Sequence, residues 1–321
     1  VLTGFSVATP DCDMDDRLLV LNRDDDCVSV VDPESGETVT EIETDFGPWT
    51  IETSPDGAKS YVTCSQGDAL NIIDNESYSV TAQVEHDLFD GPRGIAVREQ
   101  STEIWVVSRN NSRVFVFDIE TDELLDVIPT HQSQSNSLSL SGDESLAYVT
   151  NSSGNTLTII DCEERRISVD VPVGDGPEGV AVNPNTENVY VTIQNESRLT
   201  VHDPEHHEII YKTGLGDAPM GIVFSPDASV ALVPNRMSND VSVIETRFHR
   251  NGTGRPWEVE RIPVGIWPSE VVFNTDGSMA YITNNKTNDV SVIDMNARQE
   301  VDRIDVRTHP DGITYLSRGS D

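Results

Sequence analysis

The chain has 321 residues, a formal net charge of −35 and only three lysines, Lys59, Lys212 and Lys286. Such a surface repels a nucleic-acid backbone, whose recognition rests on cationic groups, and no apolar run reaches the roughly 20 residues of a membrane-spanning helix. Self-repulsion of this size is relieved where concentrated salt shortens the Debye length to about 3 Å, so the composition reads as that of a halophile's protein.

Along the chain one pattern returns seven times. Two short runs of alternating apolar and polar residues flank a polar turn and close on an acid, which is the signature of a β-hairpin. The copies are Leu18–Asp32, Ser60–Asp74, Ile104–Asp118, Ala147–Asp161, Val189–Asp203, Ala231–Glu245 and Ala280–Asp294. Their closing acids lie 42 to 49 residues apart. Each hairpin is followed by a turn and a further short run, such as Thr38–Ile42, Arg165–Val171 or Glu300–Ile304. A Gly/Pro lead-in then opens a fourth run, as in 47–57, 91–97, 176–182, 218–227 and 267–273. Four strands per repeat of about 42 residues is the signature of a β-propeller blade. The expected fold is all-β, a single domain spanning 1–321. Its seven blades of four antiparallel strands run over 17–43 with 309–317, then 48–85, 92–128, 135–171, 177–212, 219–262 and 268–304.

The stretches Tyr148-Val149-Thr150-Asn151 and Tyr281-Ile282-Thr283-Asn284, with the V-S-V-V/I-D endings at 28–32 and 290–294, resemble the YVTN family of β-propeller repeats. The resemblance covers nearly the whole chain. It implies the propeller fold and leaves activity open, because the family includes archaeal surface-layer proteins and lactonase-like enzymes.

Ring closure has two candidates. His309 to Tyr315 matches the innermost-strand pattern, and so does Phe5 to Asp11. The N-terminal copy slips by one residue, which reverses the faces of a strand. The C-terminal strand is therefore expected to complete the blade begun at Arg17, with residues 1–16 displaced. The sixth repeat carries an insert, Arg247–Trp257, a cationic knot in an anionic chain and a candidate contact for an acidic neighbour.

In a propeller the lead-in loops of the innermost strands surround one mouth of the central channel. Positions that differ among equivalent repeats are free to carry function. Those positions hold Trp49, Arg93, Asn136, Glu178, Met220, Ser269 and Asp311, with Trp267 and His309 in the same loops and His131 further upstream. This mixed ring suits a polar small molecule or a metal. Asp11, Asp13 and Asp15 have a spacing that can wrap Ca²⁺, but lack the Gly and distal Glu of an EF-hand loop. The sequence names no cofactor and leaves Ca²⁺ or another metal as an open alternative to a solvated acidic turn. No H-E-x-x-H, no C-x-x-C and no G-x-S-x-G pattern occurs.

N-x-S/T sequons at Asn75, Asn110, Asn151, Asn195, Asn251 and Asn285 are candidate glycosylation sites. Cys27 and Cys64 are the first choice for a disulfide if the protein is exported. Two functions follow as expectations. The first is a non-enzymatic binding or scaffold module, extracellular or on the cell surface of a halophilic archaeon, with a protein or cell-surface partner. The alternative is a lactonase-like or metal- or cofactor-assisted enzyme with its site at the channel mouth.

Overall fold

The computed structural model describes residues 16–246 and 256–317. Within them the chain forms seven four-stranded antiparallel sheets, joined by turns and almost free of helix. Each sheet is one blade of a ring. The first blade takes Arg17–Asn22, Cys27–Val31 and Thr38–Glu43 from the N-terminal part of the chain. Its innermost strand is the C-terminal Pro310–Leu316, paired along Arg17–Asn22. Both ends of the described chain are thus held in one sheet, as the sequence expectation had it.

The residue pattern explains this arrangement. The two middle strands of each blade are covered on both faces by neighbouring blades, so Lys59–Cys64, Ala69–Asp74 and their counterparts are buried nearly end to end. Outer strands alternate; Ser79–Glu85 is a regular succession of exposed and half-buried residues. The apolar clusters therefore sit between blades. One joins Tyr61, Leu70 and Ile72 of the second blade to Ile95, Val106, Phe115 and Phe117 of the third. Another joins Leu19 and Val28 of the first to Ile51 and Val62 of the second.

The recurring Tyr-Val-Thr-Asn motif is structural. Its Thr hydroxyl, on the second strand, donates to a carbonyl on the innermost strand of the next blade. Thr63 reaches Arg93 O at 2.9 Å, Thr150 reaches Glu178 O at 2.8 Å, Thr192 reaches Met220 O at 2.6 Å and Thr283 reaches Asp311 O at 2.6 Å. Its Asn amide donates within the blade, Asn151 to Thr158 Oγ1 and Asn284 to Ser291 Oγ, both at 2.8 Å. The closing acids accept turn amides: Asp32 Oδ1 takes the N–H groups of Glu34 and Ser35, each at 2.9 Å. These bonds satisfy backbone and side-chain groups that burial would otherwise leave unpaired.

Candidate functional site: the channel mouth

At the start of six of the seven innermost strands the pairing register shifts. The shift lies between Pro92 and Ile95, Ser135 and Leu138, Pro177 and Val180, and Pro268 and Val271, and comparably in the first and second blades. A β-bulge re-aims side chains and ends regular pairing. The bulged residues are those the sequence singled out; the bulges turn Trp49, Asn136, Glu178, Ser269 and Asp311 onto the channel wall, where Met220 of the sixth blade joins them. Arg93 stands beside them.

A second ring, which sequence reasoning missed, lies above the first. It is made by the first residue after each second strand: Arg23, Ser65, Arg109, Ser152, Gln194, Arg236 and Asn285. Each backbone N–H donates to the lead-in residue that precedes the bulge. Examples are Arg23 to His309 O at 3.1 Å, Arg109 to Gly91 O at 3.0 Å and Asn285 to Trp267 O at 3.0 Å. The lead-in residue has a left-handed backbone in every blade. Glycine fills it at Gly47, Gly91 and Gly176, but Trp267 (φ 60°) and His309 (φ 61°) hold it with bulky side chains. Such strain is characteristic of functional positions. The signal for the second ring was in the sequence: three arginines occupy one position directly after the repeated motif.

Asp311 is the hub. Its side chain is buried, and it receives Arg23 Nη1 at 2.9 Å, Ser269 Oγ at 3.1 Å and Asn285 Nδ2 at 2.9 Å, with Arg236 at 3.9 Å. Asn285 also donates to Pro310 O. Arg23 further reaches His309 Nε2 at 2.6 Å, while His309 Nδ1 lies 3.1 Å from Asp24. Burial, then the neighbouring Arg23, pushes the His309 imidazole below its ordinary value. Across the mouth Asn136 bridges Arg93 and Glu178, accepting at 3.2 Å and donating at 2.8 Å. Two tryptophans meet cations: Arg93 lies 3.6 Å from the Trp49 ring centroid, and Lys286 lies 4.6 Å from that of Trp267. Burial, then Arg109, pushes Arg93 down to about 10.

Below the mouth the channel has a volume of about 430 Å³. Its wall is small at one level: Thr50, Gly94, Ser137, Gly179, Gly221 and Gly312. The exception is Glu270, unremarked in the sequence. Its carboxylate is enclosed by the wall, and desolvation, with Asp311 and Glu178 adding repulsion, pushes it up to about 7. Glu52, two residues beyond Thr50 on its strand, also lines the channel. It too is pushed up to about 7, by enclosure first and by Glu270 second.

These residues do not make a metal centre. No three His, Cys, Asp or Glu side chains converge among the described residues, and Asp311 and Glu178 are turned to arginine and amide donors. A divalent cation there would have to displace the Arg23 guanidinium from Asp311 and the Asn136 amide from Glu178. The acidic run Asp11, Asp13 and Asp15 lies outside the described residues, as do Asn251 and residues 247–255 of the insert.

Several expectations are corrected. His131 is exposed and away from the channel wall. Cys27 and Cys64 are free, buried thiols. Cys27 accepts from the Asn22 amide at 3.6 Å, Cys64 donates to Asn71 Oδ1 at 3.4 Å, and burial raises both. Three sequon asparagines are structural: Asn75, Asn151 and Asn285 are buried and their amides engaged, leaving a glycan no room. Asn110 and Asn195 are exposed.

Comparison with known proteins adds family context. The profile of the SMP-30/Gluconolactonase/LRE-like region matches residues 109–233. That span includes Arg109, Asn136, Glu178 and Met220 but stops before Glu270 and Asp311. No curated protein sequence matches significantly. Similar solved structures include a functionally unknown protein from Desulfotomaculum acetoxidans, 15% identical, with TM-score 0.80, covering 94% of this chain and 98% of that one. A Bacteroides fragilis protein named as a candidate 6-phosphogluconolactonase is 15% identical with TM-score 0.78, covering 96% and 100%. Kuenenia stuttgartiensis hydrazine synthase is 18% identical with TM-score 0.77, covering 87% and 92%. At these identities the likeness is one of fold.

Proposed function

We propose that the channel mouth binds a hydroxylated small molecule and opens a lactone ring by hydrolysis. The observation that carries this reading is Glu270, a carboxylate held near 7 on the channel wall where every other blade has a small residue. A base titrating near neutral pH is suited to take a proton from water. The gluconolactonase-like match over 109–233 supports the same class. In the proposed step Glu270 takes a proton from a channel water as the water oxygen bonds to the lactone carbonyl carbon. Collapse of the tetrahedral intermediate breaks the ring C–O bond, and the leaving oxygen takes the proton back from Glu270. Arg236, whose Nε is buried without a partner among the described residues, is a donor for the carbonyl oxygen as charge develops there.

The test is hydrolysis of gluconolactone and related uncharged lactones by the native chain and by Glu270→Gln. The expected loss is about 100-fold or more, with a native rate rising through pH 7. Undiminished hydrolysis by the variant, or none by the native chain, overturns the reading.

A second reading is a non-enzymatic binding module, surface-exposed or secreted by a halophilic archaeon, as the YVTN resemblance suggests. The mutual satisfaction of Asn136 with Glu178 and of Arg23 with Asp311 favours it, because a preorganised polar surface binds without needing to react. Saturable ligand binding without turnover would select it.

A further inference from the structure

A separate pocket of about 280 Å³ opens on the mouth face, off the channel axis, between the first three blades. Its wall includes Arg23, Trp49, Ser65, Gln66, Arg93 and Asn110, with Asp24 at the rim. The state of Arg93 is unusual. Its guanidinium is largely enclosed, yet it makes no ion pair among the described residues. Its partners are neutral: the Trp49 face at 3.6 Å and Asn136 Oδ1 at 3.2 Å. A neighbouring cation, Arg109, gives Nη2 to Gln134 Oε1 at 3.1 Å, and its Nε is buried with no partner among the described residues. Arg23 faces the same space while held by Asp311 and His309. Asp24, the rim carboxylate, is drawn to Arg23 Nε at 3.5 Å and to His309.

A chain carrying 56 acidic residues and 21 lysines and arginines has carboxylates to spare for every cation. Enclosing a guanidinium without one is costly unless a ligand supplies the charge. Arginine's planar fork fits an oxyanion with paired hydrogen bonds, and stacking on Trp49 fixes the fork's plane beforehand. We propose that this pocket is an oxyanion subsite that takes the carboxylate or phosphoryl end of a ligand whose hydroxylated part lies over the channel mouth. It rests on the reading of the mouth as a small-molecule site, and it narrows the substrate class to acidic sugar-like molecules.

The test is calorimetric titration of the intact chain with inorganic phosphate and, separately, with acetate, at fixed ionic strength. Saturable binding of either anion is expected, and the tighter one identifies the phosphoryl or carboxylate preference. Arg93→Gln is expected to weaken binding at least tenfold, whereas Arg261→Gln, on the far side of its blade and paired to Glu258, leaves it unchanged. Should Arg93→Gln fail to fold, Arg109→Gln on the exposed turn is expected to weaken binding several-fold. Quenching of Trp49 fluorescence by phosphate, lost in Trp49→Phe, gives an independent readout. No saturable binding, or equal affinity in the native chain and the arginine variants, overturns the proposal. Anion binding without lactone opening would leave the subsite standing and remove the hydrolase reading. Opening of uncharged lactones without anion binding would do the reverse.

Discussion

The carboxylate of Glu270 fills the space left by the absent side chain of Gly221: a Cβ at residue 221 would stand 2.6 Å from Glu270 Oε1. The two residues belong to neighbouring blades, so the channel wall accommodates its acid by leaving a vacancy on the strand beside it.

Gly221→Ala is therefore expected to push Glu270 off its seat. The atoms met are the far end of a flexible side chain that can swing into the channel, so the cost is expected at the low end of the overpacking range, about 1 kcal/mol. Urea unfolding of the variant would measure it, and Gly214→Ala, where an added Cβ meets nothing within 4 Å, serves as the comparison. Equal losses at the two sites would show that the Glu270 seat is not tight.

The two channel glutamates give stability a definite pH slope. In an unfolded chain a glutamate titrates near 4.3, whereas both are held near 7 in the fold. Between these values the folded state binds more protons than the unfolded one. Their contribution is full below the lower value and is lost as pH rises through about 7. Glu270→Gln is expected to flatten that fall, so the variant melts higher than the native chain at pH 8 and close to it at pH 5. Parallel melting curves across this range would contradict the assignment.

Thr283→Val removes the hydroxyl that meets Asp311 O at 2.6 Å. The carbonyl it abandons is enclosed, and an unsatisfied buried acceptor costs about 1–3 kcal/mol. Because the same peptide carries the hub carboxylate, this variant is also expected to weaken phosphate binding measured by calorimetry. A stable variant with native affinity would show that the bond is dispensable.

Ending the chain before Pro310 deletes the strand that pairs with Arg17–Asn22. The first blade would lose its channel-facing edge, and the seventh would lose the carbonyl that Thr283 engages. Cooperative thermal unfolding is expected to disappear. A sharp transition in the truncated chain would mean that the ring closes by another route.

Salt provides the remaining prediction. With a net charge of −35, melting is expected to rise steeply between millimolar and molar potassium chloride. A melting temperature independent of salt would remove the halophilic reading.

The architecture was legible in the sequence because its stabilising bonds repeat. Thr150, Asn151 and Asp161 recur at fixed spacing, and their spacing alone defines strands, turns and blade count. The closing strand was legible because a one-residue slip changes which face is buried. The mouth was half legible. Trp49 and Asp311 stood out as departures from a repeat, but Arg23, Arg109 and Arg236 come to them only through a fold that lays hairpin turns over lead-in loops. Glu270 was hidden because it replaces a small residue at a position taken to be structural. Asn285 misled in the other direction: an asparagine in a sequon reads as surface, yet here it holds Asp311 from within.

The hydroxyl bonds from Thr63, Thr150, Thr192 and Thr283 engage main-chain oxygens of Arg93, Glu178, Met220 and Asp311. They are indifferent to the side chains those residues carry. Each blade thus offers its neighbour a socket that accepts a guanidinium, a carboxylate or a thioether alike. The ring behaves as a keyboard of interchangeable positions, so selectivity can be retuned one residue at a time while the frame that holds them is left alone.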